Sequence, residues 1–180
     1  MLFLILLIII IIFLCAYIIK ITNDIKKKKV KLESSRSSIS IILEERYNIL
    51  TNSVEVLKGL TKHEENIFNT TLHRPVSNMS TEQINKNITE QEQVSKNIIA
   101  LGQLYPDIKS AEAFMKVMCQ IQYENEKLSA AKRLYNNDVT AYNWMLVTFP
   151  NILVAKMFSI EKENFIKIDE SETNDVNVKF

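Results

Sequence analysis

The sequence predicts an all-α protein: an N-terminal transmembrane helix followed by an up-down-up bundle of three long helices plus a short fourth. Three observations predict it. The 180 residues include only 2 Gly and 3 Pro, too few breakers for the many turns of a sandwich, a barrel or a doubly wound sheet. Residues Leu2 to Ile19 are mostly apolar and carry no charge. Beyond Lys20, apolar residues recur at steps of three, four or seven, the period of an amphipathic helix. With 47% hydrophobic residues, the chain has room for one domain plus appendages.

The first element is the span. Its eighteen uncharged residues make a helix of about 27 Å, close to the hydrocarbon thickness of a bilayer. A cleaved signal peptide would have a charged n-region, a shorter apolar core and a small-x-small site; the sequence shows none of these. A lipoprotein reading of Cys15 fails on the bulky Phe13 and Leu14 before it. After the span come Lys20, Lys26, Lys27, Lys28, Lys29, Lys31 and Arg36 against Asp24 and Glu33, a local net of +5. Basic flanks stay cytoplasmic, so a short N-terminus outside and the rest of the chain inside are expected. Those lysines can also hold anionic headgroups. They do not suit nucleic acid: the run lacks interleaved aromatics, and Ser37 to Phe158 nets −1.

The soluble part follows in order. Ile39, Leu43, Tyr47, Leu50, Val54, Leu57, Leu60 and Ile67 form one stripe, and its helix runs on from the span with little interruption. Ser34, Ser35, Ser37 and Ser38 are the expected soft spot, because serine competes for backbone hydrogen bonds. Arg74-Pro75 ends the helix. Ser80 with Gln83 three residues later is a capping box, opening a second stripe of Ile84, Ile88, Val94, Ile98, Leu101 and Leu104 that stops at Tyr105-Pro106. The third stripe runs from Phe114 through Ile121, Leu128, Tyr135 and Tyr142 to Phe149. Pro150 closes it, and Asn151 to Phe158 allows one short helix. From Ser159 the pattern dissolves, with disorder expected over Asp169 to Phe180. The implied organisation is an anchor over 1–21, a basic juxtamembrane segment over 22–38, a helical bundle over 39–158 and a tail over 159–180.

Chemistry is sparse. His63 and His73 lie ten residues apart, about 15 Å along a helix, and cannot share an ion there. Gly59 and Gly102 sit alone in helical stripes and make no phosphate loop. Cys119 reads as a small residue on or near an apolar stripe, and it cannot pair with Cys15 inside the span. No cofactor, no metal site and no catalytic residue is expected. The polar residues on the seams are more telling. Asn125 sits between Ile121 and Leu128, Glu64 between Leu60 and Ile67, and Arg46 beside Leu43. Buried, they would need partners and could fix helix register; at the stripe's edge they would simply meet water. If the third helix runs parallel to the first, Glu124 and Asn125 come level with His63 and Glu64.

Several stretches carry a resemblance: Glu45-Arg46-Tyr47-Asn48-Ile49-Leu50, then Val54 through Lys58-Gly59 to His63-Glu64. Tyr105-Pro106-Asp107-Ile108-Lys109 follows with Phe114, then Glu124-Asn125. The last are Ala131-Lys132-Arg133-Leu134-Tyr135-Asn136-Asn137-Asp138-Val139 with Tyr142-Asn143, and Phe149-Pro150. In order and spacing, over roughly residues 20 to 168, the chain resembles the LemA family. It departs at Thr51-Asn52, where the family often has Pro and Asn, and at Tyr123, where it usually has Thr. It also departs at Phe158-Ser159-Ile160, where the family tends to have Phe-Gly-Phe. The resemblance implies a bacterial single-pass membrane protein with a helical bundle and no settled activity. It suggests an envelope partner, such as a membrane protease. The expected function is therefore a membrane-anchored interaction or scaffold module whose partners are the bilayer and a membrane or envelope protein. The alternative is a ligand-binding or catalytic helical domain around His63, Glu64 and Glu124.

Overall fold

The computed structural model describes residues 1–60, 72–76, 78–105 and 112–167. Helix α1 spans Leu2–Leu60, α2 Thr81–Leu104, α3 Glu112–Val147 and α4 Asn151–Met157. No strand occurs among the described residues. The all-α class therefore holds. Helix α1 passes unbroken through the serine run: Ser35 gives its hydroxyl hydrogen to Asp138 of α3 and not to its own backbone, and Ser40, just past the run, donates back to the Arg36 carbonyl at 3.3 Å. The capping box opening α2 forms as expected. Ser80 Oγ accepts from the Gln83 amide at 3.2 Å, and the Gln83 side chain accepts from the Ser80 amide at 2.8 Å.

The chain divides into two compact units, one of residues 1–35 with 135–165 and one of 36–134 with 166–180. The second unit is a bundle of α1, α2 and the first two-thirds of α3. Its core joins Leu50 and Leu57 of α1, Val94, Ile98 and Leu101 of α2, and Phe114, Val117 and Ile121 of α3. Gln91 Nε2 donates to the Leu43 carbonyl at 2.8 Å, and Arg46 Nη2 donates to Ser95 Oγ at 3.2 Å. These pairings advance together, so α2 runs in the same direction as α1. Arg46 also reaches Asn125, while Glu45 pairs with Lys127; α3 runs against both. The bundle expected as up-down-up is thus up-up-down within this unit. Chain return before α2 makes this possible: Arg74 is already back beside Glu44 at 2.7 Å. The expected level between Glu124 with Asn125 and His63 with Glu64 is replaced by a level with Arg46. His63 and Glu64 themselves lie outside the described residues, as does Asp169 to Phe180.

The first unit contains the apolar start of α1, the end of α3, α4 and the segment after it. Here α3 again runs against α1: Asp138 meets Lys31 at 2.8 Å and also Ser35, while Lys29 lies 5.5 Å from the Tyr142 ring centre. Ile21, Ile25, Leu32, Tyr135, Tyr142, Leu146 and Val154 are buried. Helix α4 ends in a Schellman turn. The Ser159 amide reaches the Lys156 carbonyl at 3.2 Å, the Ile160 amide reaches that of Ala155 at 2.9 Å, and Ser159 has φ 50°. The next residues are pinned along α3. Tyr142 donates its hydroxyl to the Glu161 carbonyl at 3.4 Å, Tyr135 to that of Asn164 at 3.3 Å, and Asn143 exchanges two 2.9 Å bonds with Glu163. The start of the tail is therefore ordered by backbone bonding, which leaves no apolar periodicity in the sequence.

Candidate functional site

Two groups of polar side chains gather the residues singled out from the sequence. The first is the basic flank on α1. Lys20, Lys26, Lys27 and Lys28 are exposed, while Lys29 and Lys31 turn to protein acids: Lys29 pairs with Glu163, and Lys31 with Asp138. Burial pushes the Asp138 carboxyl up. Hydrogen bonds from Lys31 and Ser35 outweigh it, with the charges of Lys31 and Lys28 adding to them, so the group lies below the ordinary Asp value. Tyr142, beside Lys29, is pushed above the usual phenol value mainly by burial. Two of the six flanking lysines thus hold the fold together, and four face outward.

The second group is a buried polar layer in the other unit. Arg46 is 2% exposed and Glu124 3% exposed. Arg46 donates to Asn125 Oδ1 at 2.7 Å, and Lys127 stands 3.9 Å from Glu124. Burial lowers the Arg46 guanidinium and raises the Glu124 carboxyl, the neighbouring opposite charges opposing each shift. Arg46 Nε and Nη1, Gln91 Oε1 and Glu124 Oε2 have no hydrogen-bond partner among the described residues. Of the expected seam, Arg46 and Glu124 lie in this layer, and Asn125 lies at its exposed edge. The stripe from Ile121 to Leu128 passes through Glu124 by a step of three, not through Asn125 by a step of four.

Sequence reasoning missed Gln91, Ser95, Asp138 and Glu163. The signal for Asp138 was its place beside Val139 on the third stripe, between Tyr135 and Tyr142. Glu163 left no signal, since it works from an extended segment. Among the described residues no group of three or more His, Cys, Asp or Glu is placed to hold a metal ion. Among the described residues, surface crevices lie elsewhere, such as one between Ser37, Glu44 and Val76 and another between Asn85, Thr89, Glu92 and Lys167.

The architecture therefore combines an N-terminal helix apolar and long enough to cross a membrane, its most apolar 18-residue stretch having mean hydropathy 3.5 and none of the described residues burying it, and a helical body crossed by polar layers. No curated protein matches the chain. A family model described as the LemA family matches residues 35–180, most of the chain and nearly all of the helical body. The chain belongs to the LemA family.

Proposed function

We infer that the chain is a single-pass membrane protein of the bacterial inner membrane, with a short external N-terminus and a cytoplasmic helical body serving as an interaction or scaffold module without catalysis. One observation carries the reading. The side chains of Leu2 to Leu14 are exposed throughout, and buried packing on α1 begins only at Ile21. Thirteen consecutive uncovered, mostly large apolar residues would drive aggregation in water but match the acyl interior of a bilayer. The lysines that follow supply the direction. The partner this reading implies is a membrane or envelope protein, a membrane protease being one class.

The alternative, a ligand or catalytic site around Glu124, has less support. That carboxyl is buried beside Arg46 and Lys127, an environment that fixes helices instead of presenting a group to substrate. Alkaline carbonate extraction of membranes from expressing cells tests the anchor: the chain stays in the pellet if it spans the bilayer, and release to the supernatant overturns the reading. Crosslinking in the same membranes with mass spectrometry then identifies what the body holds. Recovery of no membrane or envelope protein above a span-only control counts against the scaffold role.

A further inference from the structure

Trp144 is the chain's one tryptophan, and its side chain is 68% exposed. Further along the same segment Phe149 is 76% exposed, and Leu153, Met157 and Phe158 are each more than half exposed. A folded surface in water seldom gathers so many large apolar groups over fifteen residues without a use for them. All five belong to the compact unit that carries the apolar start of α1.

Helix register places them. Because α3 runs against α1 in this unit, moving along α3 means approaching the apolar span. Tyr142 is level with Lys29. Five residues later α3 ends at Val147, about 7.5 Å closer and level with about residue 24, and Phe149 follows in the turn beyond it. Ile21 and Ile25 are buried, Ile18 is half-buried and residues 2–17 are exposed, so protein covers one face of α1 as far as the last turn of the span. Helix α4 is tied to the same end. The Ile152 amide bonds the Thr148 carbonyl at 3.0 Å, and Glu161, just beyond the helix, receives the Tyr142 hydroxyl. Val154 and Ala155 face inward, leaving Leu153, Lys156 and Met157 exposed. From residue 24 to Ile19 is about 7.5 Å of helix, within the roughly 5–8 Å headgroup layer on each side of a bilayer.

The geometry points to a second membrane contact: Phe149, Leu153, Met157 and Phe158 seat the α3–α4 end of this unit in the headgroup layer of an anionic bilayer, while Trp144, level with about residue 27 and about 12 Å from Ile19, stays on its water side. Lys26, Lys27, Lys28 and Lys156 form its cationic rim. Aromatic rings favour that depth, and an apolar face edged with lysine is the pattern of an interfacial helix. Lipid fits better than a second copy of the chain or another protein, because the end of α3 stands level with the foot of a span whose own surroundings are acyl chains, and the lysines around it are complementary to anionic headgroups. The inference rests on the anchored reading above.

A tryptophan moved into the patch gives the test. The full chain carrying Phe149→Trp with Trp144→Phe, both at exposed positions, is reconstituted in phosphatidylcholine–phosphatidylglycerol vesicles, with acyl chains brominated near the headgroup or near the methyl end, and its emission is read alongside vesicle flotation. Expected are a blue-shifted emission, quenching by about half with shallow bromines and clearly less with deep ones. Leu153→Glu with Met157→Glu, both at exposed positions, should lose most of the quenching while still floating and keeping its circular dichroism spectrum. Vesicles of phosphatidylcholine alone should quench less; equal quenching overturns the role of the cationic rim. A chain that floats with an unquenched, solvent-like tryptophan overturns the docking and leaves the anchor standing. A blue shift without bromine quenching means protein covers the patch, and it also overturns the docking. Failure to float overturns the anchored reading instead.

Discussion

Asp138 and Ser159 show what single side chains contribute to the first unit. Asp138 is buried, yet Lys31 and Ser35 hold its carboxyl below the ordinary value. A carboxyl lowered in the folded state stabilises the fold fully above its unfolded value, about 3.9, and loses that contribution as pH falls through the folded-state value. The urea midpoint of the detergent-solubilised chain should fall on acidification below about pH 4, and Asp138→Asn should flatten that fall. At neutral pH the same variant should cost about 1–2 kcal/mol, the worth of charged hydrogen bonds discounted for the exposed Lys31. Wild-type and variant profiles that superimpose would refute this account. Ser159 closes α4 in the left-handed region, at the place where the resemblance sets a family Gly. A non-Gly residue there costs about 1–2 kcal/mol, and Gly costs about 0.5–1 kcal/mol in added unfolded-state freedom. Ser159→Gly should therefore stabilise by roughly 0.5–1 kcal/mol in urea unfolding, while a destabilised variant would show that the Ser159 side chain matters more than its backbone. The Phe-Ser-Ile departure was visible in the sequence. Its physical meaning was not, because the turn that needs positive φ is made by hydrogen bonds between residues 155 and 160.

At the scale of the element, nearly all of the helical content was legible. The apolar stripes, the Ser80–Gln83 capping box and the stops at Tyr105 and Pro150 locate α2, α3 and α4, because each rests on interactions within a few residues. The serine run was a less reliable sign: serine weakens a helix only where its hydroxyl draws the backbone out of it, and here the Ser35 hydroxyl goes to Asp138 on α3 while that of Ser40 bonds within α1. Gly102 is the opposite case, a weak helix former whose reason lies in another element. An added Cβ would stand 2.3 Å from Phe114 Cζ and 2.7 Å from Cε1, and that ring is buried in the core. Helix propensity alone makes Gly102→Ala favourable by about 1 kcal/mol. Overpacking a buried ring costs about 1–3 kcal/mol, and a contact this close belongs at the upper end. Gly102→Ala should thus lose about 1–2 kcal/mol. In a Phe114→Leu background the same change should turn neutral or favourable, since the ring that blocks it is gone. Equal effects in the two backgrounds would mean the ring is not what requires Gly102.

For the whole molecule, direction is what the stripes could not supply. A stripe states which face a helix buries and is silent on whether its neighbour runs with it or against it. The up-up-down order depends on chain return before Arg74, which meets Glu44, and no local period records such a return. Long-range pairing is also why the basic flank reads differently once folded. Lys29 and Lys31 hold Glu163 and Asp138, while Lys20 and Lys26 to Lys28 are exposed. Insertion and folding therefore use the lysines differently. During insertion all of them weigh on orientation, because the charge bias acts within about 15–20 residues of the span; after folding Lys29 and Lys31 also pair with Glu163 and Asp138. Two triplets of substitutions separate these roles. Lys26, Lys27 and Lys28 changed together to Gln should mix the two orientations, read by paired alkaline phosphatase and cytoplasmic fluorescent reporters fused after Phe180, while leaving the urea midpoint within about 0.5 kcal/mol of wild type. Lys28, Lys29 and Lys31 changed together remove equal charge, so they should mix orientation to a similar degree. They should also lower stability by about 1–3 kcal/mol, because Asp138 and Glu163 are left without their cations. If the first triplet leaves the C-terminal reporter wholly cytoplasmic, the lysines do not set the topology. If wild type shows phosphatase activity instead, the orientation inferred from them is reversed.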